Sequence, residues 1–164
     1  MSSCSSLQKS DLILKIISDL GNKLEAMENA AQQAHEGATH EQSKAETQYD
    51  TLGLEHAYLA EGQSRRIEEL RQGILQLEHM GLPELTEDDA IVLGAVIRAE
   101  NYTTQSSQLF FMAVNGGGVK QQTELGEITV ITPQSPLGEE LLGRYLDDEF
   151  KWPNGADGLI IDLA

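Results

Sequence analysis

The chain has 164 residues, 27 acidic against 11 basic, and a formal charge of −16 with 40% hydrophobic residues. A chain of this length holds one or two small domains. The charge excludes a simple phosphate-gripping DNA or RNA binder, because counterion release needs a Lys/Arg surface and this one repels a polyanion. The single cysteine, Cys4, can form neither an internal disulfide nor a zinc cluster. No apolar run reaches the ~18 residues of a membrane helix. The opening MSSCSSLQKSD lacks the basic and apolar regions of a signal peptide. The expectation is a cytoplasmic protein with no membrane role.

Residues 1–80 contain no proline and are rich in Gln, Glu, Ala and Leu. Cys4 stands in a Ser-rich start expected to be irregular. From there Ile13, Ile17, Leu20, Leu24, Met27, Ala31, Ala34 and Ala38 step by alternating fours and threes, a heptad seam. A second seam reads Ala60, Gln63, Ile67, Leu70, Ile74 and Leu77, with His56 one step upstream. The stretch Thr39 to Thr51 between them is polar. Two antiparallel helices joined there make a coiled-coil hairpin. From Ile13 to Ala38 it rises about 38 Å. Toward the turn the seam shrinks to alanine, which brings helices close but buries little apolar area. Such a hairpin is slim and weakly held at its far end.

The chain changes character at Gly81-Leu82-Pro83. All four prolines and most glycines follow. The spacing predicts strands over 90–98, 108–114, 128–132 and 158–163, with a glycine turn at Asn115-Gly116-Gly117-Gly118. Ser135-Pro136 reads as an N-cap followed by proline in the first turn, opening a helix over Leu137–Leu142 that Gly143 closes. The predicted fold class is α+β: an antiparallel coiled-coil hairpin over 1–80, its tip within about 39–53, and a small antiparallel β domain with one short helix over 84–164.

On these residues the chain resembles the bacterial Gre family of transcript cleavage factors. The segment from Ile128 to Phe150, ITVITPQSPLGEELLGRYLDDEF, resembles that family's strand, Ser-Pro, amphipathic helix and Gly-Asp pattern. Asp147 stands where the family has glycine, and Asp148 keeps the acid. Ile91 to Arg98 resembles the strand opening the family's C-terminal domain. Gly62, Arg66-Ile67 and Glu69-Leu70 resemble its second coiled-coil helix. The resemblance covers nearly the whole chain. It implies an FKBP-like C-terminal domain, RNA polymerase as the partner, and a hairpin that enters the polymerase's secondary channel. The protein would be no enzyme itself. It would stimulate the polymerase's own cleavage of backtracked RNA by helping to hold a catalytic Mg²⁺, and would touch that RNA only indirectly.

Family members carry a tip loop close to G-D-x-S-E-N-x-E-Y, because Mg²⁺ prefers oxygen ligands and a second metal activates water for in-line cleavage. The corresponding stretch here, from Glu46 to Tyr58, reads ETQYDTLGLEHAY and contains no D-x-x-E. Aligning on Arg66 puts the family's Asp at Glu46 and its Glu at Tyr49. Shifting the Asp to Asp50 puts Gly53 at the Glu. The candidate tip carboxylates are therefore Asp50, then Glu55 and Glu46. Ser135, Pro136, Leu137, Leu141 and Gly143 are the candidate polymerase-docking residues.

Other signals carry less. Gly116-Gly117-Gly118-Val119-Lys120 lacks P-loop spacing and reads as a turn. His35 and His40 are five apart, whereas ligands on one helical face stand three or four apart. Asp147-Asp148-Glu149 reads as an acidic turn, and Trp152 as a half-buried ring beside one. No Ser/His/Asp or Cys/His arrangement suggests a self-contained hydrolase. The chain is expected to hold no cofactor of its own and to be a monomer. The competing functions are a channel occupant that does not promote cleavage, a coiled-coil adaptor, and an FKBP-like isomerase or chaperone.

Overall fold

The computed structural model describes residues 2–42 and 50–164, with side chains over 2–36 and 61–164. Helix α1 spans Lys9–Gln42 and α2 spans Asp50–Glu78. Six strands follow, β1 (Val96–Asn101), β2 (Ser106–Met112), β3 (Lys120–Thr123), β4 (Gly126–Ile131), β5 (Glu149–Lys151) and β6 (Asp157–Leu163), with α3 (Pro136–Leu141) between β4 and β5. The chain divides into two compact units, Ser18–Ile74 and Met1–Ile17 with Leu75–Ala164.

Within the helical unit, α1 and α2 lie side by side, as the 2.5 Å contact from Arg71 to Glu28 requires. Seven residues join them, so they run antiparallel. Burial falls along the seam of α1 away from its base. Leu20 and Ile67 are buried, Leu24, Met27, Ala31 and Leu70 half-buried, and Ala34 exposed. A buried Leu or Ile contributes about 1.5–3 kcal/mol relative to an exposed one, so adhesion weakens as the seam passes to alanine.

The other unit is built on one sheet of order β3-β4-β2-β1-β6-β5. The α+β class holds, but the sheet is mixed: β2 and β4 pair in parallel. The cause lies in the β3–β4 hairpin, whose register closes Thr123 on Gly126, with Gly126 at φ 114°. The segment after β2 carries the chain past the position of β4 to the edge. The tight hairpin then returns β4 alongside β2 in the same direction.

The period-two alternation gives the sheet two apolar faces. Ile97, Ala99, Phe110, Met112 and Ile160 point toward α3, where Leu137, Leu141, Phe150 and Trp152 complete a core. Val96, Leu109, Phe111, Ile128 and Val130 are buried on the opposite face. Cys4, Leu12, Ile16 and Leu77, in the 3-10 turn and at the base of the helices, are buried as well. Val114 N–H donates to Met80 Sδ at 3.4 Å and Asn115 Nδ2 to Gln76 Oε1 at 3.3 Å, fixing the end of α2 beside the sheet.

Three expectations shift. The apolar run from Ala90 is irregular up to Ala95, because Gly94 adopts φ 91° with Gly81 O and Pro83 packed against it. β3 and β5 are additional edge strands. Their sequences, KQQT and EFK, carry too few apolar residues to show alternation. Cys4 is ordered: it opens a 3-10 turn over Cys4–Ser6 and is only 1% exposed.

Candidate functional site

The far end of the helical hairpin holds the candidate acids. Glu46 lies outside the described residues. Asp50 is the first residue of α2 and Glu55 belongs to its second turn, but their side chains, like that of His56, lie outside the described set. Five residues apart on a helix is about 140° of rotation, so Asp50 and Glu55 stand on different faces of α2. No face of α2's first turns pairs Asp50 with a second acid, since Gly53 and Leu54 occupy the i+3 and i+4 positions.

The second candidate region surrounds α3. Ser135 is its N-cap: Oγ accepts from Gly138 N at 3.1 Å and donates to Thr132 O at 2.7 Å. Pro136 follows in the first turn, where its missing N–H costs nothing. Gly138 is required by packing, because a Cβ there would stand 1.7 Å from the Thr132 carbonyl oxygen. Leu137 and Leu141 are buried in the sheet core, so the expectation that they face a partner is corrected. The amphipathic pattern that singled them out marks the inward face of α3.

The outward face is formed instead by Pro136, Leu142 at 42% exposure and Tyr145 at 49%. Ile91 N–H donates to Arg144 O at 2.8 Å and Gly143 N–H to Ile91 O at 2.9 Å. These bonds bring Val92, 41% exposed, beside Leu142 and Gly143. Arg144 holds the end of α3, its Nε donating to Glu140 O at 2.5 Å and Nη1 to Glu149 O at 3.1 Å. The following turn is closed by Asp148, whose Oδ2 accepts from Tyr145 N at 2.8 Å. Asp147 takes φ 67°. Glu139, Asp147 and Glu149 are exposed around this apolar surface. Sequence reasoning placed the region but missed Val92, Leu142 and Tyr145; their signal was a large apolar residue out of phase with the buried stripe.

Three aromatic residues of this unit, Phe110, Phe150 and Trp152, serve the core. Phe110 and Phe150 lie 5.8 and 5.1 Å from Trp152 between ring centroids, both tilted, and all three rings are buried. They do not line an open pocket for a prolyl peptide. No group of three His, Cys, Asp or Glu suited to a metal ion occurs among the described residues. No helix among them is long and apolar enough to cross a membrane.

Cys4 N–H donates to Asp162 Oδ2 at 2.7 Å, and burial, followed by the neighbouring Asp162 carboxylate, pushes its thiol up to about 12. Burial likewise lowers Lys9, whose Nζ donates to Pro83 O at 2.8 Å.

Several solved structures match the chain at low identity. GreA factor homolog 1 (Gfh1) of Thermus thermophilus matches over 90% of this chain and 94% of its own, with 19% identity and a TM-score of 0.38. Thermus aquaticus Gfh1 matches over 89% of this chain and 92% of its own, at 21% identity and a TM-score of 0.37. The transcription elongation factor GreA/GreB from Nitrosomonas europaea matches over 60% of this chain and 78% of its own, at 18% identity and a TM-score of 0.37. No protein-family model and no curated protein matches the chain.

Proposed function

We propose that this protein is a Gre-like accessory factor of RNA polymerase that inserts its helical hairpin into the secondary channel and stimulates cleavage of backtracked RNA. The observation that carries this reading is the hairpin itself. Helices of 34 and 29 residues, about 51 and 44 Å long, give up apolar seam toward their joined end. A hairpin built only for stability has no use for such length with so small-sided a seam; one that threads a narrow opening needs both. The sequence resemblance names the opening.

The chemistry asked of the tip is modest. The polymerase holds the catalytic site, and a carboxylate near it supplies a hard oxygen ligand to Mg²⁺, which activates water for phosphodiester cleavage. Asp50, at the first position of α2, is the residue assigned this role, with Glu55 and Glu46 next. The sheet unit docks at the channel rim through Pro136, Val92, Leu142, Gly143 and Tyr145, with Leu137 and Leu141 supporting that surface from within. The exposed acids around it favour a basic partner surface. The protein acts as a cytoplasmic monomer with no cofactor of its own.

The missing D-x-x-E favours a second reading, in which the hairpin occupies the channel and modulates transcription without promoting cleavage. One experiment separates them: transcript cleavage in a purified, backtracked polymerase complex with Mg²⁺, with and without this protein, beside a binding measurement. Faster cleavage, lost in Asp50→Ala with binding intact, supports the first reading. Binding without cleavage supports the second. Absence of binding to the polymerase of its own organism overturns both.

A further inference from the structure

The chain contains two Asn-Gly pairs, Asn115-Gly116 and Asn154-Gly155, each in a connection between strands. Asparagine is a chemically labile residue, most of all before glycine, which has no Cβ to shield its amide nitrogen from the neighbouring carboxamide. Both glycines take positive φ, 84° at Gly116 and 89° at Gly155. Sequence and backbone shape therefore do not separate the two pairs. Exposure favours reaction at Asn154, which is open to solvent while Asn115 is half-buried.

The hydrogen bonds reverse that order. Gly155 N–H donates to Trp152 O at 2.8 Å, and Trp152 N–H donates to Ala156 O at 2.9 Å. The Asn154 carboxamide is held as well, its Oδ1 accepting from Ala156 N–H at 3.0 Å. Trp152 belongs to the sheet core, so this turn is anchored. At the other pair, Gly116 N–H donates to Oδ1 of Asn115 itself at 2.7 Å. The nitrogen that attacks is thus already against the carbonyl that receives it. Asn115 Nδ2, the atom that leaves, donates to Gln76 Oε1 at 3.3 Å, a long bond to an exposed side chain.

We propose that Asn115-Gly116 is a self-modification site of the folded protein, where Asn115 closes to a succinimide and reopens as an aspartyl or isoaspartyl residue, while Asn154-Gly155 is protected. The Asn115 carboxamide turns about Cβ–Cγ to present its carbon. Gly116 N gives its proton to hydroxide and attacks Cγ; the Cγ–Nδ2 bond breaks, and the nitrogen takes a proton and departs as ammonia. Water then adds to either ring carbonyl and breaks that carbon's bond to the Gly116 nitrogen. Opening at Cγ leaves an ordinary aspartyl residue. Opening at the main-chain carbonyl leaves an isoaspartyl residue, whose backbone is one methylene longer. Water is consumed, ammonia is released, and nothing is oxidised or reduced. Either product carries one more negative charge and has lost the donor to Gln76. The isoaspartyl form also lengthens the chain between Val114, whose N–H meets Met80 Sδ, and Gly118, whose N–H donates to Val130 O at 2.8 Å. The reaction thereby unties the β2–β3 connection from the Gln76 side chain of α2.

The test holds the full chain in warm, mildly alkaline buffer, with a parallel sample in urea. Peptide mapping by mass spectrometry reads each pair by its gain of one dalton, and fragmentation identifies the isoaspartyl form. In the folded chain Asn115 should convert about tenfold faster than Asn154, since only Asn154 must first break the bonds of its turn. In urea the two rates should converge as Asn154 accelerates. Asn115→Gln should remove the early acidic species seen by isoelectric focusing of the intact protein, because glutamine closes the larger ring slowly. Equal rates in the folded chain, or faster reaction at Asn154, overturn the proposal. So does a difference that persists in urea, which would place its cause in the local sequence rather than in the fold.

Discussion

Trp152 closes over Gly158: a Cβ built on Gly158 would stand 2.6 Å from the indole Nε1 and 2.6 Å from Phe150 Cζ. The indole also donates from Nε1 to Glu100 O at 3.3 Å, so it cannot swing aside without leaving that bond. Gly158→Ala should therefore destabilise the sheet unit by about 1–3 kcal/mol. A thermal melt followed by Trp152 fluorescence measures it. An unchanged midpoint would contradict the packing described here.

Asp147 offers the opposite case. Its φ of 67° lies where residues with a side chain are penalised and glycine is not. The family that this sequence resembles has glycine at that position. Asp147→Gly should stabilise the protein by about 0.5–1 kcal/mol in urea titration, without altering the Tyr145–Asp148 turn.

The start of α3 tolerates little. Ser135→Ala removes an N-cap acceptor and should cost about 1 kcal/mol. Gly138→Ala should cost more, because its methyl would meet backbone rather than a movable side chain. Equilibrium unfolding of the two variants ranks them; equal losses would show that the Thr132 contact relaxes freely.

The Arg71–Glu28 contact between the two long helices is half-exposed, at 51% and 40% of the side chains. Such pairs contribute about 0–1 kcal/mol and weaken in salt. Arg71→Ala should leave the helical circular dichroism unchanged at high salt. A large loss at low salt that high salt abolishes would mean that charge, rather than the Leu20, Ile67 and Leu70 seam, holds the hairpin.

Cys4 also predicts a pH dependence. Its thiol is raised to about 12 in the folded chain, mainly by burial. The stability that this contributes is present below the ordinary thiol range and declines as pH climbs from about 9 toward 12, because the unfolded chain loses its proton first. Lys9 works the other way: burial lowers it, so its contribution improves as pH rises. The difference between the native protein and Cys4→Ala isolates the thiol. That difference should shrink between pH 8 and 11, as read from urea midpoints.

Local signals made much of this architecture legible. The heptad seams of α1 and α2, the Ser135-Pro136 start of α3 and the apolar cores of β2, β4 and β6 all depend on near neighbours in sequence. The edge strands β3 and β5 were invisible because edge residues face water and carry no apolar rhythm. The run from Ala90 looked like a strand because composition does not record that Gly94 must turn left-handed against Pro83. The tip acids could be named but not paired, since which carboxylates converge depends on where the helices end.

By itself, then, the sequence determined the class of each long element, the slim hairpin and the acidic surface, since periodicity, side-chain size and charge are properties of the chain. The tertiary structure decided the parallel pairing of β2 with β4, the burial of Leu137 and Leu141 rather than Leu142, and the union of Cys4 with Asp162 across 158 positions. Those outcomes depend on contacts between segments remote in sequence, where each residue's role is set by what the fold brings against it.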